Sequence, residues 1–186
     1  MRALPRGTDS FIDMGRSKRR TIESGQQAPP FELVDTEGKR FALAAALECG
    51  PVVAAFFKVS CPVCQFALPF LERLFKSYGG ARGGGRVSFV AISQDDAADT
   101  KEFCEEYGIT FPALLDEEGY PASNEYGLTN VPTYYLIAPD GKVQVESVGF
   151  SKRAFEAISA YLARFLGMAA SSVFLPGEIV PESKPG

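Results

Sequence analysis

The feature that most constrains the fold is an apolar run with an amphipathic helical pattern close behind it. The run, Pro51 to Phe57, contains no polar side chain, which is typical of a central strand buried on both faces of a sheet. Apolar residues then recur at helical spacing over 62–78: Leu68, Leu71, Leu74 and Phe75. This spacing predicts a helix, and a buried strand followed by a helix indicates a sheet covered by helices.

Strand-like and helix-like patterns alternate along the rest of the chain. The first two predicted strands flank a turn at Gly38 and form a hairpin, and the Gly-rich stretch 79–85 is predicted to be a loop. The order of elements predicts an α/β sandwich with a mixed central sheet flanked by helices and an N-terminal β-hairpin extension. The predicted strands are 31–34, 41–43, 87–92, 133–137 and 143–148, and the predicted helices are 97–107 and 151–166.

Both ends of the chain differ in composition from the domain between them, 25–166. Residues 1–24 carry six Lys or Arg without periodicity, which predicts a poorly ordered basic arm. Residues 167–186 contain three prolines, which exclude a continuous helix. We expect the apolar segment Val173 to Leu175 of this tail to lie against the domain surface.

Composition excludes several function classes. The chain has no histidine, which removes Ser-His and Cys-His hydrolases, His-ligated zinc enzymes and haem proteins with a proximal His. A net charge of -4 argues against nucleic acid as a partner. We expect no membrane span, because no apolar run approaches the roughly 18 residues required. We expect a cytoplasmic location, since no apolar segment of a secretory signal follows the basic residues.

The Cys61-Pro62-Val63-Cys64 motif is the part of the sequence that carries chemistry. It lies where the buried strand gives way to the helix, so that Pro62 would be the first helical residue and Cys61 the N-cap. Free N–H groups and the positive end of the helix dipole favour a thiolate there, and they lower a cysteine pKa from about 8.5 to roughly 3.5–7.5. We therefore expect Cys61 to attack a disulfide and Cys64, one turn later, to resolve the mixed disulfide.

A metal site is a weaker interpretation of the same motif. Structural zinc requires four protein ligands, and only Cys49 and Cys104 remain, at unmatched spacing. We therefore expect no metal and no cofactor besides the Cys61-Cys64 pair, and we expect Cys49 and Cys104 to pack as small hydrophobic residues. The adjacent carboxylates Asp95 and Asp96 are expected to cap a helix.

Lys58, three residues before Cys61, allows two interpretations. Its ammonium group could stabilise the thiolate. Alternatively, it is a lysine at a strand end that extends to water, which is the interpretation that we favour.

Several linked motifs in the same order resemble the redoxin branch of the thioredoxin superfamily, which includes TlpA/ResA-like thiol-disulfide oxidoreductases and AhpC/TSA peroxiredoxins. Phe56-Phe57 ahead of the Cys motif and Pro69 after it resemble the active-site strand and kinked helix of that superfamily. The branch is indicated by GQQAPPF (25–31), Leu115-Asp116 and VPTYYLIAPDGK (131–142).

The resemblance implies a thioredoxin-like fold in which Pro132 is cis and lies against the active-site sulfurs. The backbone of Val131 would then pair with an extended substrate, in a groove bordered by Pro62, Val63 and Thr133. The implied activity is thiol-disulfide exchange, with reduction of protein disulfides as the expected direction. The implied partners are a disulfide-containing protein or a small-thiol substrate, and an external electron donor.

Departures from the family pattern keep two alternatives open. Thioredoxins carry a buried acid six residues before the first Cys, where this chain has Ala55. Peroxiredoxins match P-x-x-x-T-x-x-C, and aligning their reactive Cys with Cys64 puts Phe57 and Cys61 at the Pro and Thr positions. A thiol peroxidase and a non-catalytic redoxin-fold binding module are therefore the alternative functions.

TlpA/ResA-like relatives commonly work outside the cytoplasmic membrane, which makes a periplasmic or other extracytoplasmic location the alternative to the cytoplasm.

Overall fold

A computed structural model describes residues 21–82 and 85–186, and within them the chain forms ten strands and five helices. The strands are β1 (Glu32–Asp35), β2 (Arg40–Ala42), β3 (Val52–Phe57), β4 (Gly80–Arg82), β5 (Gly85–Ser93), β6 (Ala113–Leu115), β7 (Thr133–Ile137), β8 (Val143–Val148), β9 (Phe150–Ser151) and β10 (Ser183–Lys184). The helices are α1 (Leu43–Cys49), α2 (Pro62–Tyr78), α3 (Ala97–Tyr107), α4 (Pro121–Glu125) and α5 (Lys152–Leu166).

The main sheet has the strand order β2-β1-β6-β5-β3-β7-β8, and β4 pairs with β5. Strand β3 is central, parallel to β5 and antiparallel to β7, so the sheet is mixed, as predicted. The β1–β2 hairpin forms one edge of this sheet. The parallel pairing brings the carboxyl ends of β3 and β5 to the same side of the molecule, where α2 and α3 begin.

The apolar run that predicts β3 is buried completely. Val53, Ala55 and Phe57 face one core layer together with residues of α2 and α5. Their neighbours on the strand face a second core layer on the opposite side of the sheet. All six residues of β3 are therefore inaccessible, which explains why the strand shows no alternation of apolar and polar side chains.

Helices α2 and α3 have the boundaries that the sequence predicts, and α5 begins at Lys152 with Ser151 as its N-cap. Two short helices, α1 and α4, were not predicted. The apolar pattern assigned to a strand at 41–43 ends at Ala42, because Leu43 begins α1 and its N–H donates to the Phe31 carbonyl. The loop expected over 79–85 instead contains β4, which folds back onto β5.

The two cysteines outside the motif have different environments. The expectation that Cys49 packs as a small hydrophobic residue is wrong: it ends α1 and is exposed. Cys104 on α3 is half-buried against the core, as expected. Burial, with smaller contributions from the Glu72 and Glu105 carboxylates, raises the pKa of Cys104 to about 11, so this thiol stays protonated at neutral pH.

Residues 1–20 of the predicted arm over 1–24 lie outside the described residues. Residues 21–24 of this segment are described, and Ile22 and Ser24 among them are hydrogen-bonded to the domain. The Ile22 N–H donates to the Tyr126 carbonyl at 3.1 Å, and the Ser24 hydroxyl donates to the Gln144 carbonyl at 2.9 Å. These contacts fix the chain before the β1–β2 hairpin.

Val173 and Phe174 of the C-terminal tail over 167–186 lie against the domain, as expected for its apolar segment, whereas Leu175 is 58% exposed. Val173 is 3% exposed, and the Phe174 ring lies 5.2 Å from the Phe70 ring of α2. Two parallel hydrogen bonds of 2.8 Å join the Arg73 guanidinium to the Glu178 carboxylate. The tail ends in β10, which pairs antiparallel with β9. In the described part of the chain, no helix is long and apolar enough to cross a membrane.

We expect the Arg73–Glu178 pair to control how firmly the tail is docked. Hydrogen bonds from Arg73 hold the pKa of Glu178 at about 2, below its ordinary value of 4.5. Because the pKa of Glu178 is lower when the tail is docked, the ionised Glu178 carboxylate stabilises docking above about pH 4.5. This contribution is lost as the pH falls through about 2. At neutral pH, Arg73→Gln should therefore raise amide hydrogen exchange across 170–186 about threefold or more.

The control for this prediction is Arg40→Gln, which removes the exposed pair that Arg40 forms with Glu32 at 2.7 Å. Because that pair lies on the β1–β2 hairpin, its loss should leave tail exchange unchanged. Equal exchange of the tail in wild type and Arg73→Gln at neutral pH would contradict the prediction.

Candidate active site

Cys61 occupies the N-cap of α2, the position that the sequence predicts. Its backbone is extended (φ -84°, ψ 115°), and Pro62 follows in the first helical turn. The Cys61 Sγ accepts the Cys64 N–H at 3.4 Å, and its thiol donates to the Val131 carbonyl oxygen at 3.5 Å. The half-buried Cys61 sulfur therefore lies between a helix N-terminus and the loop before β7.

Cys64 lies one turn further along α2, and both cysteines are free thiols. Cys64 is completely buried. Burial raises the pKa of the Cys64 thiol well above its ordinary value, and the Cys61 and Asp95 charges raise it further. A backbone hydrogen bond from Lys58 opposes this shift. The two thiols thus differ in accessibility, with Cys61 toward the surface and Cys64 behind it.

The loop before β7 completes the site from the other side. The Val131–Pro132 peptide bond is cis, as the resemblance implies. The Thr133 hydroxyl donates to the Asn130 carbonyl at 2.7 Å, and the Gly149 N–H donates to the Pro132 carbonyl at 2.7 Å. These bonds hold the loop at both ends, so that the Val131 carbonyl faces Cys61. Pro62 is exposed and Val63 is half-buried beside the sulfurs.

Lys58 approaches the site mainly through its backbone. Its carbonyl accepts the Cys61 N–H at 3.2 Å. The ammonium group lies over the Tyr120 ring, 5.5 Å from the ring centroid. The Lys58 ammonium therefore has an aromatic partner, Tyr120, which neither interpretation of Lys58 from the sequence predicted.

Asp95 holds the loop that precedes Cys61, a role that the sequence analysis missed. Its Oδ2 accepts the Val59 N–H at 2.8 Å. Asp96, in contrast, caps α3 by accepting the Ala98 and Asp99 N–H groups, as expected. The sequence signal for this role of Asp95 was its position just after β5. The carboxyl ends of the parallel strands β3 and β5 lie side by side, which brings Asp95 close to the loop after β3.

The last residues of the tail border the same loop, which no sequence pattern indicated. The Asn130 side-chain amide donates to the Gly186 carbonyl at 3.1 Å. Gly186 packs so closely on Val131 that an added Cβ would lie 2.7 Å from the Val131 carbonyl oxygen. The Lys184 ammonium lies 4.6 Å from the centre of the Phe66 ring on α2. The segment 183–186 therefore forms one border of the site.

No group of three or more metal-ligating side chains is placed to hold a metal ion within residues 21–82 and 85–186. The arrangement instead joins one accessible and one buried thiol at a helix start with a cis-proline loop. Such a pair can alternate between a dithiol and a disulfide.

The AhpC/TSA family matches residues 24–146 of this chain. The chain belongs to the AhpC/TSA family. Thioredoxin-like protein YneN of Bacillus subtilis is 30% identical over 128 residues, which cover 69% of this chain and 73% of that protein. Thiol-disulfide oxidoreductase ResA of Bacillus anthracis is 30% identical over 142 residues, which cover 76% of this chain and 78% of that protein.

Solved structures agree with this assignment. The putative thiol:disulfide interchange protein DsbE of Chlorobium tepidum superposes with a TM-score of 0.63 at 25% identity, covering 79% of this chain and all of that structure. The predicted resemblance and the thioredoxin-like fold are therefore confirmed. Together, the relatives and the DsbE structure assign the chain to the thioredoxin-like thiol-disulfide oxidoreductases.

Proposed function

We propose that this protein reduces disulfide bonds of other proteins, with Cys61 as the nucleophile and Cys64 as the resolving cysteine. The observation that carries this proposal is the asymmetry of the two thiols. Cys61 is partly accessible at the N-cap of α2, whereas Cys64 is fully buried behind it. Only Cys61 can meet the sulfur of a bulky client, and Cys64 lies one helical turn away.

The reaction takes place in two exchanges. The Cys61 thiolate attacks one client sulfur, a Cys61–client disulfide forms, and the other client sulfur leaves as a thiolate that takes up a proton. Cys64 then loses its proton and attacks the Cys61 Sγ, so that the Cys61–Cys64 disulfide forms and the second client thiolate leaves. The client gains two electrons and the protein loses two, which an external electron donor must restore.

We assign client binding to the cis-proline loop. The Val131 backbone would pair with an extended client segment, since its carbonyl oxygen lies 3.5 Å from the Cys61 Sγ. Val63, Pro132 and Thr133 would border the client. Because Gly186 packs on the Val131 carbonyl, the client would have to displace the segment 183–186 or share this edge with it.

Insulin reduction with dithiothreitol as electron donor tests the proposal. Catalytic amounts of the protein should accelerate precipitation of the insulin B chain well above the rate with dithiothreitol alone. The same preparation is assayed for consumption of hydrogen peroxide with the same donor. Rapid peroxide consumption without insulin reduction would replace the proposal with a thiol peroxidase, and inactivity in both assays would favour a binding module.

A further inference from the structure

The segment 183–186 lies on the edge of the site that the proposed function assigns to the client. Its first two residues form β10, in which Ser183 pairs with Ser151 and Lys184 pairs with Phe150 in antiparallel register. Since Phe150 begins just after the end of β8, this pairing carries the following residues of the segment toward the cis-proline loop.

The contact between the segment and the loop is made by backbone against backbone. The Asn130 side-chain amide donates to the Gly186 carbonyl at 3.1 Å. A Cβ added to Gly186 would lie 2.7 Å from the Val131 carbonyl oxygen, and one added to Gly149 would lie 2.4 Å from the Lys184 carbonyl oxygen. These approaches leave no room between the segment and the loop. An extended client therefore cannot lie on the Val131 carbonyl while Gly186 remains there.

Few interactions hold the segment in this place. The Lys152 N–H donates to the Glu182 carbonyl at 2.9 Å, and the Lys152 ammonium lies 3.5 Å from the exposed Glu182 carboxylate. The Lys184 ammonium lies over the Phe66 ring. Within 183–186, Lys184 is half-buried and the other three residues are exposed. Detachment of the segment would expose little apolar surface, so it can open locally without unfolding the domain.

The tail just before this segment is held much more firmly. Val173 is buried, and Arg73 forms its two hydrogen bonds with Glu178. Only the four residues 179–182 connect this anchor to the segment, and Ile179 among them is 99% exposed. A detached segment therefore stays close to the loop. A competitor on such a short tether has an effective concentration in the millimolar range.

We infer that the segment 183–186 is an internal competitor of the client, which covers the Val131 edge until an extended client segment displaces it. This inference rests on the proposed function and adds a control on client binding. The Cys61 side chain stays half-buried with the segment in place, and its Sγ contacts the Cys64 N–H and the Val131 carbonyl. The segment therefore opposes extended clients, whereas a small disulfide that needs only the Cys61 sulfur bypasses it.

The size of the effect follows from the fraction of time that the edge is open. The apparent affinity for a client falls in proportion to the open fraction of the protein. A segment that is closed about nine-tenths of the time weakens client binding about tenfold. Removal of the segment should restore this factor in kcat/KM for a protein client.

A variant that lacks 183–186 tests the inference, in a Cys49→Ser background because Cys49 is an exposed thiol. With insulin below saturation, the deletion should raise the rate of reduction about tenfold. The rate of reaction with Ellman's reagent, a small disulfide, should not change. Gly186→Val should accelerate insulin reduction in the same direction, since its side chain has no space beside Val131. Ile179→Ala, a change at an exposed position of the same tail, should match the background in both assays.

A covalent adduct shows displacement of the segment directly. The Cys49→Ser/Cys64→Ser variant is reacted with a cysteine peptide of about eight residues, activated as its mixed disulfide with thionitrobenzoate. Cys61 forms a disulfide with the peptide, and the thionitrobenzoate thiolate leaves. Amide exchange at Lys152 should rise about threefold or more compared with an adduct of cysteamine, which has no peptide backbone. The Met168 N–H, bonded to the Ala163 carbonyl at the other end of α5, should exchange equally in both adducts.

The outcomes separate this inference from the proposed function. If the deletion reduces insulin no faster than its background, the inference is overturned and the function stands. Equal acceleration with insulin and with Ellman's reagent would also overturn it, by showing a general opening of the site. If none of the proteins reduces insulin, the proposed function fails. Lys152 exchange in the peptide adduct then decides the inference, and equal exchange in the two adducts overturns it.

Discussion

Replacing Cys61 by serine is expected to abolish reduction of insulin, whereas replacing Cys64 by serine is expected to stop the reaction at the mixed disulfide. The Cys61 variant lacks the only sulfur of the pair that a client can reach, so turnover should fall by at least about 10³-fold. The Cys64 variant keeps the Cys61 attack but lacks the internal thiol that releases the client. Non-reducing electrophoresis and mass spectrometry should show a covalent adduct of one protein with one client.

The asymmetry between the two variants is the decisive result. Cys49→Ser and Cys104→Ser are the matched controls, because they change the other two cysteines and should keep wild-type turnover. A stable adduct in Cys61→Ser, but not in Cys64→Ser, would reverse the assigned roles. Full activity of Cys61→Ser would exclude the proposed mechanism.

Asp116→Asn is expected to cost about 3 kcal/mol of unfolding free energy, because it breaks a buried helix cap. The Asp116 carboxylate is completely inaccessible. It accepts the Ala122 and Ser123 N–H groups, both at 2.8 Å, and the Ser123 hydroxyl at 2.6 Å. Helix α4 has no side-chain cap from its own N-cap residue, Tyr120, so Asp116 supplies this function from outside the helix. An asparagine retains one acceptor oxygen and turns an N–H₂ group toward donors.

Urea denaturation measures this effect, and Asp96→Asn is its control. Asp96 also accepts two backbone N–H groups at a helix start, but it is exposed. Asparagine caps such a site nearly as well as aspartate, so the control should lose less than about 1 kcal/mol. Similar losses in both variants would show that burial of Asp116 is not what makes its cap important.

The parts of the fold that could be predicted are those with strong local signals. Helices α2 and α3 begin and end as expected, because periodicity, the N-caps Cys61 and Asp96, and the C-terminal Gly108 are all contained in one stretch of chain. The central position of β3 followed from its continuous apolar run. Helix α1 was missed because seven residues after a hairpin show little periodicity, and this error also misplaced Cys49.

For the C-terminal tail, composition alone predicted only part of the structure. Three prolines excluded a helix, and the apolar Val173–Leu175 segment indicated contact with the domain. Nothing in those residues indicated that Glu178 would meet Arg73 or that Gly186 would reach Asn130. Such pairs depend on the path of the chain across α2 and β9, which is set by packing over many residues.

By itself, the sequence determined the chemistry of the site, because its two sulfurs and the helix N-terminus that holds Cys61 are neighbours along the chain. Only the tertiary structure decided what surrounds them. Val131 is 70 residues from Cys61, and Asp95 is 36 residues from Val59. Tyr134 lies opposite Ala55 only because β3 and β7 pair in one register. A register is chosen by the burial of whole strands, so no short motif encodes it.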